Sequence, residues 1–397
     1  MSYDEIYSKL KNVGQEQLLD FYDELNDEEK ENLLKQIEKI DFSILDLINH
    51  QNEEKKKGVI TPLKGGLSVA DIERNREEYT NVGIDAIRQG KVAALLLAGG
   101  QGTRLGSDKP KGMYNIGITK DVYILEMIVR NLMDVVNQTG TWIPLYVMTS
   151  EKNNDDTVKF FKDMNYFGYD KEKVVFFTQG ELPVLTESGK IVLEDGRIQT
   201  GSNGNGGVYK AMKDHHIIED MKEKNIKWVY ICGVDNIMVN PISPIFIGKT
   251  ILDKLQIASK SVAKAYPEEK VGVFCRRNNK PSTVEYIELS EKMRNERDEY
   301  GELYYGEANI ISHLLSIDAI EKITNFSLPY HIAKKKGLYK FETFIFDAFE
   351  YFDDMLVMRV KREDEFAPIK NKEGVDSPET AKEIYERKME KDGRTKN

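Results

Sequence analysis

Beyond residue 59 the chain alternates short apolar runs with amphipathic stretches. Val92–Leu97, Leu145–Met148, Val174–Phe177 and Trp228–Val234 have strand length, and Ile124–Val136 carries helical spacing between the first two. A parallel strand pair needs a crossover long enough to hold a helix, so this alternation predicts an α/β fold with a doubly wound, mainly parallel sheet. Two later runs, Val271–Arg276 and Val284–Leu289, are expected to lie antiparallel in a smaller subregion. The first sixty residues read differently. Leu33, Leu34, Ile37 and Ile40 fall at i, i+1, i+4 and i+7 behind Asp27 as N-cap, and Leu18, Leu19, Tyr22 and Leu25 repeat the pattern one helix earlier. From Pro378 the chain reads as one charged helix with a ragged basic end. The expected division is a helical region 1–58, a main domain 59–371 and a helical tail 372–397.

The first apolar run ends in Ala98-Gly-Gly-Gln-Gly-Thr-Arg-Leu-Gly106, with Lys109-Pro-Lys111 close behind. Glycine lets backbone N–H groups approach a phosphate chain that a Cβ would hold off, and Arg104 and the lysines supply fixed positive charge. The loop is expected to hold a polyphosphate. A dinucleotide fold would show G-x-G-x-x-G and an acidic residue about 20 positions on. Here the spacing is G-x-G-x-x-x-G, and the next strand ends in Thr149-Ser150. A P-loop requires G-K-[ST], whereas Gly106 is followed by Ser107-Asp108. A protein-kinase loop would be followed by valine and an H-R-D-type segment, and neither is present.

The remaining pattern, G-G-x-G-T-R-L followed by P-K, resembles the eukaryotic-type UDP-N-acetylglucosamine pyrophosphorylases. The resemblance runs from about Ile60 to Ser377. It includes Tyr146-Val-Met-Thr-Ser150, Phe176-Phe-Thr-Gln-Gly180, Gly204-Asn-Gly-Gly207, Val234-Asp-Asn236, Val271-Gly-Val-Phe-Cys275, Val284-Glu-Tyr286 and Arg362-Glu-Asp-Glu-Phe-Ala-Pro-Ile-Lys-Asn371. It implies a sheet of the nucleotide-diphospho-sugar transferase type, Rossmann-like and glycosyltransferase-A-like. The implied reaction joins UTP and N-acetylglucosamine 1-phosphate into UDP-N-acetylglucosamine and pyrophosphate. The Lys111-Gly-Met-Tyr114 segment favours the amino-sugar branch over the glucose branch. A pyrophosphorylase that also takes N-acetylgalactosamine or glucose 1-phosphate, or a catalytically silent UDP-sugar sensor, are the alternatives.

The same resemblance assigns roles. Arg104 and Lys111 would stabilise the leaving pyrophosphate, with Ala98, Gly99 and Gly100 providing backbone around the nucleotide. Gln179 would read the uracil edge; relatives carry two glutamines there, and this chain has Thr178-Gln179. Gly204 and Asn205 would approach base and ribose, although the segment by itself also reads as a hairpin turn. Gly272, Glu285 and Asn309 would meet the sugar. Glu285 alone reads equally as an outward charge on an edge strand, and Ala308 stands where relatives have glycine. Lys370 would place a point charge on the sugar phosphate, though a lone lysine in an acidic loop is usually solvated. Asp235 reads either as an Asp-Asn turn or as a metal ligand; the family pattern makes it the ligand of Mg²⁺, with Mn²⁺ as a substitute.

Charge sharpens the metal expectation. The net charge of −10, from 57 basic and 67 acidic residues, repels UTP globally, so local cations must overcome it. It also disfavours nucleic acid or an anionic membrane as partner. No run of 18 apolar residues occurs, and the polar, acidic N-terminus is unlike a signal or transit peptide. Cys232 and Cys275 sit in apolar runs, as buried thiols in a reducing cytosol would. The five histidines have no metal-ligand spacing, so zinc is not expected. Relatives continue into a C-terminal β-rich domain, which is expected to be missing or reduced to the final helix here, and the chain is expected to act as a monomer.

Overall fold

The computed structural model describes residues 1–49, 58–63, 68–117, 121–335 and 337–391. The chain divides into two compact units, one formed by 1–58, 180–207 and 328–345, the other by 59–179, 208–327 and 346–397. Among the described residues no helix is long and apolar enough to cross a membrane.

The first unit gathers helices Tyr3–Asn12, Asp27–Glu38 and Ile44–Asn49 with short strands from later in the chain. Its core joins Ile6, Leu10, Leu33 and Ile37 to Leu185, Ile198 and Phe341. Two expectations need correction. Asn26, not Asp27, caps the second helix: its Oδ1 accepts from Glu29 N at 2.9 Å while Glu29 accepts from Asn26 N at 3.0 Å. Only that frame puts a glutamate three residues after the cap, where it can reach back. The Leu18–Leu25 stretch forms two 3₁₀ turns, Glu16–Leu19 and Tyr22–Glu24, rather than an α-helix. The Gln15 side chain donates to Gly189 O and accepts from Ile191 N, both at 2.9 Å, so long-range bonds set the backbone where local spacing fitted a helix equally well.

The second unit is built on a ten-stranded sheet: β1 (Ile60–Pro62), β2 (Val92–Leu97), β3 (Leu145–Ser150), β4 (Val174–Gln179), β5 (Trp228–Gly233), β6 (Ile257–Ala263), β7 (Val273–Arg277), β8 (Lys280–Val284), β9 (Glu307–Ser316) and β10 (Leu356–Arg359). Strands β4, β3, β2 and β5 lie side by side and parallel. All six residues of β2 and of β3 are buried, which is why these stretches read as continuous apolar runs rather than alternating ones. Helix Ile124–Thr139, the crossover from β2 to β3, buries nine side chains, and Gly140 at φ 71° ends it. Antiparallel strands extend the sheet beyond β5, beginning with β9.

The expected antiparallel pair is present with shifted bounds. β7 pairs with β8 from Val273↔Val284 to Arg277↔Lys280, and Glu285–Leu289 turns away from the sheet. Glu288 drives that turn: its carboxylate accepts from Glu285 N at 3.1 Å and from Arg277 at 2.9 Å. His215 and His216 separate helices Val208–Asp214 and Ile217–Glu223, with His216, at φ 55°, as the N-cap of the second. Both cysteines are buried, and burial pushes the Cys232 thiol up to about 12, so it stays protonated.

Candidate active site

The chain passes from β2 through β3 to β4 in one direction, then returns to place β5 on the other side of β2. The sheet therefore has its switch point at the carboxyl ends of β2 and β5, where open α/β sheets bind ligands. Leu97 and Gly233 are register partners there, and Val234 N donates to Leu97 O at 3.1 Å. The glycine loop leaves one strand and Asp235 leaves the other.

The loop is a closed structure of its own. Gly102 N donates to Lys109 O at 3.0 Å and Lys111 N to Gly100 O at 3.1 Å, so residues 100–111 fold back as a hairpin-like bridge. A 3₁₀ turn, Thr103–Leu105, sits inside it and closes on Gly106 at φ 73°, a conformation that excludes a β-carbon at little cost only for glycine. Arg104 rides on this turn, solvent-exposed, with no hydrogen-bond or ion-pair partner among the described residues. Lys111, only 11% exposed, donates its Nζ to Asp235 Oδ1, whereas the Asp235 side chain is 51% exposed. Arg104, Lys111, Gly100 and Asp235 thus belong to one edge of the sheet. Ala98 is buried and hydrogen-bonds Met148 O from its N–H at 2.7 Å. Gly99 carries the buried Gln179 amide against its backbone; a β-carbon there would lie 2.5 Å from Gln179 Nε2.

Asp235 is held by a residue the sequence reading treated only as half of a turn. Asn236, 4% exposed, donates to Glu365 O at 2.7 Å and accepts from Ala367 N at 2.9 Å and Met238 N at 3.2 Å. Ile369 N donates to Asp235 O at 2.8 Å, so Lys370 follows directly beside the carboxylate's backbone. The Lys370 Nζ lies 3.4 Å from Asp376 Oδ2 and 5.7 Å above the Phe366 ring. Lys260 supports the same segment from beneath. It is fully buried and donates to Glu365 Oε2 at 2.6 Å and Asn240 O at 3.2 Å. A lysine in a strand gives no local signal of such a partner.

Gly272, Glu285 and Asn309 form a second group. Asn309 N donates to Gly272 O at 2.8 Å, and a β-carbon on Gly272 would lie 3.1 Å from Glu285 Oε1. Asn309 Oδ1 accepts from Ile311 N at 2.9 Å, while its Nδ2 is buried without a protein acceptor. Ile311 has φ 50°, a strained value for a β-branched residue and one tolerated where surrounding contacts over-determine it. The antiparallel register pairs Cys232 with Ser312, so β9 continues past the end of β5 toward Asn309. Gly204 and Asn205 belong to the first unit. There Gly204 has φ 83°, Asn205 opens a 3₁₀ turn rather than a hairpin, and its Oδ1 accepts from Ile345 N at 2.9 Å.

No group of three or more histidine, cysteine or carboxylate side chains able to hold a metal occurs among the described residues. The arrangement offers the exposed Asp235 carboxylate, several cations and free backbone donors at the mouth of a parallel sheet. It suits polyphosphate binding and charge neutralisation.

A family model described as UTP–glucose-1-phosphate uridylyltransferase matches residues 46–376. The chain is 37% identical to UDP-N-acetylglucosamine diphosphorylase 2 of Arabidopsis thaliana, over 95% of this chain and 82% of that protein. It is 34% identical to UDP-N-acetylhexosamine pyrophosphorylase-like protein 1 of Mus musculus, over 94% and 81%. The crystal structure of the UDP-N-acetylglucosamine pyrophosphorylase from Trypanosoma brucei in complex with inhibitor superposes with a TM-score of 0.84 at 30% identity, covering 97% of this chain and 84% of that one. With a matching family model over most of its length and relatives of this identity and coverage, the chain belongs to the UDP-N-acetylglucosamine pyrophosphorylase family of UDP-sugar uridylyltransferases.

Proposed function

We propose that the chain transfers the uridylyl group of UTP to N-acetyl-α-D-glucosamine 1-phosphate. A phosphate oxygen of the sugar attacks the α-phosphorus, the bond from that phosphorus to the β-phosphate oxygen breaks, and pyrophosphate leaves from the opposite side. The observation that carries this reading is the pairing of the glycine loop with Asp235 at the switch point, through Lys111, in a chain of this family. The nucleophile is already anionic at neutral pH, so no general base is needed. Catalysis reduces to alignment and to neutralising charge on the phosphates. Arg104 and Lys111 take the departing pyrophosphate. Lys370 exchanges Asp376 for the sugar phosphate, and the orphaned Asn309 Nδ2 and the Glu285 carboxylate meet the sugar.

The exposed Asp235 carboxylate fits Mg²⁺, which uses few protein ligands and completes its shell with substrate phosphates and water. When bound, the ion would neutralise phosphate charge; Asp235 would hold it, and Lys111 orients that carboxylate in its absence. Asp235→Asn is expected to raise the half-saturating Mg²⁺ concentration at least as much as losing an outer-shell partner does, about 10–100-fold. Titration of initial rate against Mg²⁺ checks this; an unchanged midpoint removes Asp235 from the metal site. Gly272→Ala puts a methyl group against Glu285 and is expected to raise KM for the sugar phosphate while leaving KM for UTP within about twofold, since no nucleotide contact changes.

Pyrophosphate release measured with UTP and the 1-phosphates of N-acetylglucosamine, N-acetylgalactosamine and glucose tests the whole reading. The N-acetylglucosamine compound is expected to give the highest kcat/KM. Comparable rates with N-acetylgalactosamine 1-phosphate would favour the broader reading, to which the N-acetylhexosamine name of the mouse relative points. Binding of UDP-sugar without any turnover would make the chain a sensor. The burial of both cysteines within apolar strands supports residence in a reducing compartment.

A further inference from the structure

We propose that Asn153 is a positioning residue for the nucleotide: it aims two backbone donors of the glycine loop, the N–H groups of Gly99 and Gln101, at UTP. The inference rests on the uridylyl-transfer reading above. Asn153 is fully buried. Its Nδ2 donates to Ala98 O at 3.0 Å and to Gly100 O at 3.3 Å, and its Oδ1 accepts from Ser150 N at 2.8 Å. The Ser150 donor fixes which end of the amide is oxygen, so the NH₂ must face the two carbonyls.

The consequence follows from peptide geometry. Every peptide here is trans, so each N–H points opposite to the carbonyl of the preceding residue. Holding the Ala98 and Gly100 carbonyls toward Asn153 turns the N–H groups of Gly99 and Gln101 away from it. The bridge between Gln101 and Pro110 uses Gly100 O and Gly102 N, and leaves Gln101 N–H out. Neither Gly99 N–H nor Gln101 N–H has a hydrogen-bond partner among the described residues. Gly99 also lies against Gln179, so its donor and that amide are set at the same place. A nucleoside triphosphate, with carbonyl oxygens on its base and anionic oxygens on its phosphates, supplies acceptors for both.

Asn153 gives up a local role to do this. It is the N-cap of helix Asn154–Asp163, where an asparagine normally accepts from the second or third helical N–H, yet its side chain makes no cap bond. The side chain serves a loop more than fifty residues earlier instead. A residue chosen for helix capping alone would cap its helix.

Asn153→Asp keeps the acceptor for Ser150 N–H and replaces the donor with an oxygen facing two carbonyl oxygens, and Asn153→Ala removes both functions. For each, KM for UTP is expected to rise by about 10²-fold, the cost of misplacing a positioned group by roughly 1 Å, while KM for the sugar phosphate stays within about threefold. Unchanged KM for UTP in both variants overturns the proposal. So does a parallel rise in both KM values with a lowered melting temperature, which a general folding role would produce. In the wild-type enzyme, UTP should slow amide hydrogen exchange at Gly99 and Gln101 and the sugar phosphate alone should not. Exchange that UTP leaves unaltered overturns the proposal even if neither variant folds. A wild-type chain that turns over no UTP sinks the transferase reading itself, a result distinct from an active wild type with indifferent variants.

Discussion

Arg104→Ala is expected to lower turnover by roughly 10²–10³, the loss typical of removing one preorganised charge-stabilising group. The residue sits on a turn fixed at both ends, by the Gly102–Lys109 bond and by Gly106 in the left-handed region. Its guanidinium has no carboxylate partner among the described residues, in contrast to Lys111, which is already neutralised by Asp235. A free cation on a rigid turn is available to the phosphates without first breaking an ion pair. As pyrophosphate departs, negative charge accumulates on its oxygens, and a fork of donors meets that charge better in the transition state than in bound UTP. The variant should therefore lose kcat and kcat/KM together. Arg104→Lys should recover only part of the rate, because an ammonium keeps the charge and loses the fork. The side chain is exposed, so the folded state should change by no more than about 0.5 kcal/mol. Steady-state kinetics with circular dichroism as the folding control decide the matter. A rate near wild type would strike Arg104 from the catalytic residues.

The second large effect is on stability. Lys260→Met should destabilise the protein by about 3–5 kcal/mol, because it strands the Glu365 carboxylate in a mostly buried position with no cation. The pair also has a functional consequence. Glu365 O accepts from Asn236, which in turn holds Ala367 N and keeps Asp235 beside Ile369, so loosening Glu365 loosens the carboxylate edge of the site. Replacing both partners, with Lys260→Met and Glu365→Leu, should restore much of the stability, since two apolar side chains of similar volume carry no desolvation cost. Urea midpoints for the two single variants and the double variant measure the coupling. Additive single effects would mean that the two groups do not act as a pair.

These two residues differ in how visible they were beforehand. Arg104 lies in a contiguous string that, read with the segments following it, sets aside the dinucleotide, P-loop and kinase alternatives, and a local string keeps its meaning wherever the fold puts it. Lys260 is one of many lysines in a chain with 57 basic residues, and nothing near it in sequence marks its partner 105 positions away. Asn153 and Asn236 are intermediate cases. Asn153 stands beside a recognisable string and Asn236 within one, but the bonds that give them importance run to Gly100 and Ala367, and side-chain type alone does not reveal which carbonyls or amides will be near. The second antiparallel strand was misplaced for a similar reason. Apolar residues recur through Leu289, while the Glu288 carboxylate, by binding Arg277 and Glu285 N–H, ends the strand at Val284.

Short-range order was written in the chain itself. The buried parallel strands, the crossover helix and the burial of the two cysteines follow from periodicity and apolar context, which act over a few residues. Tertiary structure decided everything that depends on chain return. It put 180–207 and 328–345 into one unit with 1–58, set β5 beside β2 so that Asp235 faces Lys111, and assigned buried partners to Asn153, Asn236 and Lys260. The physical reason is that burial and hydrogen bonding are satisfied by whichever groups the fold brings near, and that proximity is a property of the closed chain rather than of any segment of it.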